Sequence, residues 1–227
     1  MGVGRSPMEN LNETERFLRR AHALLPAVTP KWFDHPIDGF DGSSYDRLAG
    51  RVCATPVHVL DLACGDGILC ERLRRRFPSG LTLTGIDLSD AELAAAQKRF
   101  PDGTVDFRLE GARALSLADR SVDVVLCHMA LMLMSPLEEV LREVARVLKP
   151  GGTFAAVVGR GWRPGPNQEL FREAFRQALG EHGGTPIGTL GDERTRTREG
   201  LTAAFAASGV FRESLEFEEL NLTLKLS

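Results

Sequence analysis

The sequence predicts an α/β protein built on a doubly wound, mostly parallel β-sheet with helices on both faces. From Val57 onward, short apolar runs alternate with segments whose apolar residues recur at helical spacing, a pattern typical of such a sheet. The chain has 227 residues, of which 43% are apolar and 26% charged, so it can form one domain with a sizeable core. We divide it into a helical and irregular cap segment, residues 1–50, and the domain that contains the sheet, residues 51–227.

The cap segment is predicted to contain one helix. Apolar side chains recur at helical spacing over residues 13–25, whereas Pro26, Pro30 and Pro36 are expected to break any regular element after it. Aromatic and imidazole side chains lie in or beside this irregular stretch: Trp32, Phe33, His35, Phe40 and Tyr45. Two interpretations of these side chains stay open, a cover over a bound ligand and simple packing against the edge of the sheet.

The first predicted strand is followed by a glycine turn and a helix. Val57–Leu62 is an apolar run with β-branched residues, which predicts a buried strand. Gly65 and Gly67 let the backbone turn tightly and approach a bound molecule, because glycine has no Cβ. Over residues 68–77 the apolar side chains return to helical spacing, which predicts a helix.

An acid at the end of the second strand completes this corner. The second strand is predicted over Leu81–Ile86, and Asp87 follows it, twenty residues after Gly67. A carboxylate at this position can accept hydrogen bonds from the hydroxyls of a ribose. The strand, the turn, the helix and Asp87 together predict a nucleoside-binding site.

The remaining elements continue the alternation of strands and helices. In chain order we predict a helix opened by a capping box at Ser89–Glu92 and running to about Phe100, strands over Val105–Leu109 and Val122–Leu126, a helix opened by a capping box at Ser135–Glu138, a strand over Thr153–Val158, a lid helix capped by Asn167, and a helix over Gly200–Ser208. The lid helix, inserted after the fifth strand, is expected near the carboxyl ends of the strands, where such sheets bind ligands.

The composition of the glycine turn discriminates between nucleoside cofactors. A dinucleotide loop has the pattern G-x-G-x-x-G, but Ala63, Gly65 and Ile68 occupy these positions, so the third glycine is absent. Asp66 would also place a negative charge beside two phosphates, which Coulomb repulsion disfavours. S-adenosylmethionine has no phosphate and carries a cationic sulfonium and an ammonium group, so an acidic turn favours it. A nicotinamide-dependent oxidoreductase stays as an alternative.

Four motifs in this order resemble those of the class I S-adenosylmethionine-dependent methyltransferases. Residues 61–67 are similar to the D-x-[GA]-x-G-x-G motif of that family, and residues 85–89 to its second motif. Residues 121–128 resemble its fourth strand, and residues 148–154 resemble the entry to its fifth. The resemblance covers about residues 45–226, and it implies a Rossmann-like fold, S-adenosylmethionine as the cofactor and methyl transfer as the activity.

The resemblance also implies which residues hold the cofactor. They are Asp61, Ala63, Cys64, Gly65, Asp66, Gly67, Asp87, Leu88, Gly111, Ala112 and Cys127. Asp87 would bind the ribose hydroxyls, Leu88 one face of the adenine, and the glycine turn the methionine portion. The family usually has an acid after the third strand for the adenine amino group, whereas this chain has Gly111. The backbone of Ala112 and the carboxylate of Glu110 are the candidates to replace that acid.

Methyl transfer from a sulfonium requires mainly that the two reactants are aligned in a dry pocket. If the acceptor is a hydroxyl group, a general base with a pKa near the working pH also helps, which favours histidine. His128, directly after the fourth strand, is the first candidate, followed by His35 and Tyr45. The alternative interpretation of His128 is a structural histidine, hydrogen-bonded beneath the lid.

These residues predict a methyltransferase for a small molecule, with an oxygen, nitrogen or carbon acceptor, as in secondary metabolism. A methyltransferase-like fold with a non-methylating or partner-subunit role stays as an alternative. Residues 215–226 alternate apolar and polar side chains, which predicts a strand with a bulge at Glu218 and Glu219. The resembling fold has one more antiparallel strand, so we expect either a truncated chain or a sheet completed by a partner, a homodimer included.

Charge and composition argue against several other classes of function. A net charge of −3 and a pI near 6.0 give no global electrostatic reason to bind nucleic acid. No apolar run has transmembrane length, and no secretory signal pattern is present. The four cysteines form no C-x-x-C pair and fit reduced thiols in a cytoplasmic protein, and no carboxylate cluster suggests a metal.

Overall fold

The structure is a computed structural model, and it describes residues 11–53, 55–159, 191–211 and 215–221. Its helices are α1 (Glu13–Leu24), α2 (Val28–Phe33), α3 (Ser44–Ala49), α4 (Ile68–Arg76), α5 (Asp90–Arg99), α6 (Leu137–Val147) and α7 (Arg198–Ser208), and its strands are β1 (Val57–Leu62), β2 (Leu81–Asp87), β3 (Asp106–Leu109), β4 (Val122–His128) and β5 (Leu148–Val157). Short 3₁₀ helices lie at Leu131–Leu133 and Glu193–Arg196. The described strands form one sheet in the order β3-β2-β1-β4-β5, and all neighbouring pairs are parallel.

Helices cover both faces of the sheet, which confirms the predicted fold class. Successive side chains of β1 point to opposite faces: Leu60 and Leu62 join the core beneath α6 and α7, whereas Val59 joins the core beneath α3 and α4. The apolar stripe of α6 is buried along its length, from Leu137 to Val147. Because all strands run in one direction, their carboxyl ends meet at one edge of the sheet.

The N-terminal helix is confirmed, but the prediction of an irregular stretch after it is wrong in part. The helix α1 begins with a capping box, in which Glu15 N–H donates to Asn12 Oδ1 and Asn12 N–H donates to the Glu15 carboxylate. The short helix α2 includes Pro30. Pro30 is tolerated because it lies in the first turn, where the backbone N–H has no helical partner in any case.

The capping box predicted at Ser89–Glu92 is wrong in part, and the one predicted at Ser135–Glu138 is wrong. At the start of α5, Ser89 Oγ accepts from the N–H of Glu92, as predicted, but the Glu92 carboxylate accepts from Ala27 N–H instead of returning to Ser89. The N–H of Ser89 donates to Asp87. At the start of α6 the cap is Pro136, which makes no side-chain hydrogen bond. The carboxylates of Glu92 and Glu138 are therefore available for contacts with other elements.

Strand β5 begins earlier than predicted. The sequence predicts its start at Thr153, after a glycine turn, whereas it begins at Leu148, directly after α6. The other four strands and the helix that ends at Ser208 agree with the predictions to within a few residues, and Gly209 caps that helix with φ 71°.

The predicted C-terminal strand is not found over the part that the structure describes. Residues 215–221 are irregular: Leu215 packs against the core beneath α6 and α7, and the residues after it make polar contacts. The Asn221 carbonyl accepts from Asp38 N–H at 2.9 Å, and Glu218 pairs with Arg47 and Arg51. Residues 222–226, the lid helix capped by Asn167 and the first ten residues lie outside the described ranges. None of the described helices is long and apolar enough to cross a membrane.

Candidate cofactor site

The turn between β1 and α4 adopts the tight conformation that its glycines predict. Ala63, Gly65 and Gly67 have φ values of 61°, 53° and 79°, in the left-handed region. A Cβ on Gly67 would lie 3.2 Å from Ala96 Cβ and 3.3 Å from the ring of Phe107. Gly67 is therefore required both by its backbone angle and by the close approach of α5 and β3.

Asp87 lies at the centre of this corner, at the carboxyl end of β2. Its Oδ2 accepts from Gly65 N–H at 2.9 Å, and its Oδ1 accepts from Ser89 N–H at 2.8 Å. Burial raises the pKa of this carboxyl, and the bonds from Ser89 and Gly65 oppose that effect. Each carboxylate oxygen keeps a further lone pair, so Asp87 can still accept hydrogen bonds from a ligand diol.

Asp66 does not give the turn the free negative charge that the sequence suggests. Arg99 Nη2 lies 2.5 Å from Asp66 Oδ2, and Arg99 Nε donates to the Asp66 main-chain oxygen at 3.0 Å. This ion pair balances the charge of Asp66. Asp66, paired with Arg99, therefore discriminates less between cofactors with and without phosphates than its charge alone would.

Two other buried carboxyls make the site acidic. Asp61 accepts from Cys70 Sγ at 3.4 Å, and burial, with smaller contributions from Asp87 and Asp66, raises its pKa to about 7. Glu92 lies beside the turn, and burial also raises its pKa to about 7. A cationic ligand would favour the charged forms of both groups.

A cavity of about 60 Å³ adjoins Asp87. The strand ends and the loops after them supply Ala63, Asp87, Leu88, Glu110 and Ala112, α1 supplies Glu15, Leu18 and His22, and Leu62, Ile86, Ala130, Leu133, Met134 and Val140 complete the lining. The cavity has room for about two water molecules, whereas small-molecule pockets measure roughly 300–1,000 Å³. Leu18 and His22 place α1 along one wall of this cavity.

The residues that the resemblance assigned to the cofactor fall into three groups. Ala63, Asp87, Leu88 and Ala112 line the cavity, and Asp61, Gly65, Asp66 and Gly67 form or support the turn beside it. Gly111, Cys64 and Cys127 do not line it. The thiol of Cys64 lies against Gly65 and β2, and Cys127 is fully buried in the core. Burial raises the pKa of Cys127 to about 12, so this thiol stays neutral.

His128 and Tyr45 are brought together, apart from this cavity. Their rings stack with centroids 3.6 Å apart, and His128 Nε2 lies 2.9 Å from Ser44 Oγ. The His128 Nδ1 is buried and has no hydrogen-bond partner among the described residues. Burial lowers the pKa of His128 to about 3, so the ring is neutral. His35 instead lies at the end of α2, with Nε2 2.9 Å from the Lys31 carbonyl.

Sequence analysis missed three residues of the site. His22 is half-buried on α1, and its Nδ1 lies 3.9 Å from Glu92 Oε1. Glu92 was assigned to a helix cap, and Arg99 to the end of a helix. The sequence holds one local sign of the role of Glu92: it stands next to Leu93, a residue that the helix buries. A carboxylate buried beside such a residue needs a partner, because unpaired carboxylates are rarely buried.

The parallel sheet, the left-handed glycine turn and the carboxylate of Asp87 define a nucleoside-binding α/β domain. The acids around the turn fit a cationic nucleoside, and Leu88 and Ala112 offer apolar surface for a base. No cluster of three metal-binding side chains occurs in the part of the chain that the structure describes.

Comparison with known proteins finds a similarity to methyltransferases over part of the chain. Residues 60–156 match the family model described as a methyltransferase domain. Over these residues the chain is similar to methyltransferases, in agreement with the motifs that resemble the class I S-adenosylmethionine-dependent family.

The curated relatives include two enzymes with one name. The ubiquinone biosynthesis O-methyltransferase of Pseudomonas entomophila (strain L48) is 32% identical over 147 residues, which is 61% of this chain and 62% of the relative. That of Pseudomonas fluorescens (strain Pf0-1) is 31% identical over 158 residues, 66% of this chain and 65% of the relative. The chain thus spans less than two thirds of these relatives. Among solved structures, the [4+2]-cyclase SpnF is 26% identical, with a TM-score of 0.49 over 72% of this chain and 67% of that one.

Proposed function

We propose that this protein transfers the methyl group of S-adenosylmethionine to a small molecule, most favourably to a hydroxyl group. The observation that carries the proposal is Asp87, a buried carboxylate held by two backbone N–H groups beside the glycine turn and near the apolar side chains of Leu88 and Ala112. The names of the Pseudomonas relatives, which are O-methyltransferases, support an oxygen acceptor.

In this proposal different residues bind different parts of the cofactor. Asp87 accepts hydrogen bonds from the ribose diol, and Leu88 and Ala112 contact the adenine. The carboxylates of Asp61 and Glu92 offset the positive charges of the cofactor. Bound S-adenosylmethionine supplies an electrophilic methyl group, and the protein contributes alignment and exclusion of water, which can be worth roughly 7–11 kcal/mol.

We further propose that His128 and Tyr45 form the acceptor side of the site. His128 is the last residue of β4, and Tyr45 lies in the cap segment and stacks on it. Sheets of this kind bind their ligands at the carboxyl ends of the strands. A histidine with a pKa of about 3 is a weak base at neutral pH, so His128 would orient the acceptor and would not remove its proton. An acceptor that ionises by itself, such as a phenol with a lowered pKa, then fits best.

Calorimetry with S-adenosylhomocysteine and with a nicotinamide dinucleotide tests the cofactor. We expect micromolar binding of the first and no heat from the second; the reverse result would overturn the proposed cofactor. A radiolabelled methyl assay against catechols, phenols and aliphatic amines then tests the activity. Cofactor binding without transfer to any of these acceptors would favour the non-methylating alternative.

A further inference from the structure

The carboxylate of Glu110 is fixed at the edge of the cofactor cavity. Its Oε2 accepts from Ser116 N–H at 2.9 Å, and its Oε1 accepts from Ser116 Oγ. The backbone N–H of Glu110 donates to the Asp87 carbonyl at 3.0 Å, which sets it next to the ribose acid. Glu110 is 7% exposed and lines the cavity together with Leu88 and Ala112.

The proton of the Ser116 hydroxyl is directed to Glu110 by a third residue. Arg108 Nη1 donates to Ser116 Oγ at 2.7 Å, so the hydroxyl has its own proton available for Glu110. Arg108 is in turn held by Asp106. A buried carboxylate with two donors on one side keeps lone pairs for a further donor on the other side.

The neighbouring position leaves space where this family usually has its acid. A Cβ on Gly111 would meet nothing within 4 Å, and its φ lies outside the left-handed region. Neither crowding nor backbone strain therefore demands glycine at this position.

We propose that Glu110, positioned by Ser116, selects the adenine of the cofactor by accepting a hydrogen bond from its amino group, and so replaces the acid missing at Gly111. This inference depends on the proposed cofactor. A carboxylate can only accept, so it favours a base that presents an amino group over one that presents a carbonyl oxygen.

Calorimetry of the full chain with two ligands tests the inference. S-inosylhomocysteine differs from S-adenosylhomocysteine in carrying a carbonyl oxygen in place of the adenine amino group and a hydrogen on the neighbouring ring nitrogen, N1. We expect the wild type to bind the adenine ligand about tenfold or more tightly than the inosine ligand, because the lost bond is to a charged acceptor. In Glu110→Gln the amide can donate to the carbonyl, so the preference should fall to about threefold or less, or invert.

Three further variants separate base selection from a structural role. Ser116→Ala should reduce the preference without abolishing binding. Gly111→Ala, with free space for its methyl group, should leave the preference unchanged. Gly111→Asp added to Glu110→Gln should restore it.

The outcomes distinguish the inference from the proposed function. If the wild type binds neither ligand, both are overturned. If it binds the adenine ligand and a folded Glu110→Gln keeps the wild-type ratio, only the inference is overturned. If Glu110→Gln does not fold, the Ser116→Ala ratio decides, and an unchanged ratio again overturns the inference.

Discussion

The backbone N–H of Ala27 lies 3.1 Å from both carboxylate oxygens of Glu92 and ties the corner between α1 and α2 to α5. Ala27 has a left-handed φ of 55°, so this corner is strained and depends on its partner. The corner holds α1, with Leu18 and His22, over the cofactor cavity. Because α1 forms one wall of the cavity, we expect the contact of Glu92 with Ala27 to slow entry of the cofactor.

Glu92→Gln should therefore speed the association of S-adenosylhomocysteine about tenfold, because a neutral amide holds Ala27 more weakly than a carboxylate. Stopped-flow fluorescence can follow the rate through Trp32, which lies on α2. Arg19→Ala is the matched control: Arg19 pairs with Asp90 between the same two helices, but both side chains are exposed. An equal acceleration in both variants would contradict a specific role of Glu92.

Asp87→Asn should weaken binding of S-adenosylhomocysteine by roughly 100-fold. The amide preserves the shape of the side chain, but an NH₂ group cannot accept from both the backbone and the ribose, and two charge-assisted bonds are worth about 3 kcal/mol or more. Asp90→Asn, an exposed acid three residues away, should bind as the wild type does. Calorimetry measures the affinity of both variants for S-adenosylhomocysteine. A loss of affinity of less than about fivefold in Asp87→Asn would contradict the role of Asp87 in binding the ribose.

The nucleoside corner could be predicted from the sequence because its parts are local. A strand, a turn with left-handed glycines and a helix follow within twenty residues, and their spacing alone places Asp87 beside Gly65. The contacts that modify this corner are not local. Glu92 and Ala27 are 65 residues apart in the sequence, and Arg99 and Asp66 are 33 apart. No periodic pattern of the sequence predicts contacts between residues so far apart.

The C-terminal segment and the role of His128 show the other limit of local patterns. Alternation of apolar and polar residues over 215–221 is compatible with a strand, but the segment is irregular and Glu218 forms ion pairs with Arg47 and Arg51. The position of His128 at the end of β4 can be predicted from the sequence, whereas the stacking of its ring on Tyr45 cannot. Burial, which no short pattern encodes, then decides the charge of the ring.

The stability of the protein without ligand should depend on pH through Asp61. Its folded-state pKa of about 7 lies above the usual value of 3.8, so the native state holds the proton more tightly than the unfolded chain. The stabilisation is present at low pH and is lost as the pH rises through about 7. Between about pH 5 and about pH 8 the loss from this one group is on the order of 2–3 kcal/mol.

Asp61→Asn should remove this part of the pH dependence. Urea unfolding at the two pH values, for wild type and variant, gives the difference directly. The variant is expected to equal or exceed the wild type in stability at the higher pH, since it no longer buries a charge. A variant whose stability falls with pH as steeply as the wild type would show that Asp61 is already ionised near neutrality.

Gly67→Ala should destabilise the fold by about 2–4 kcal/mol and abolish cofactor binding. Its φ of 79° is unfavourable for alanine, and the new methyl group would lie 3.2 Å from Ala96 Cβ and 3.3 Å from Phe107. Gly103→Ala is the matched control, with a φ of 67° but nothing within 4 Å of the added methyl group. It should cost only about 1 kcal/mol, the backbone part alone. Equal losses of unfolding free energy in the two variants would mean that the approach of α5 and β3 to the turn contributes nothing.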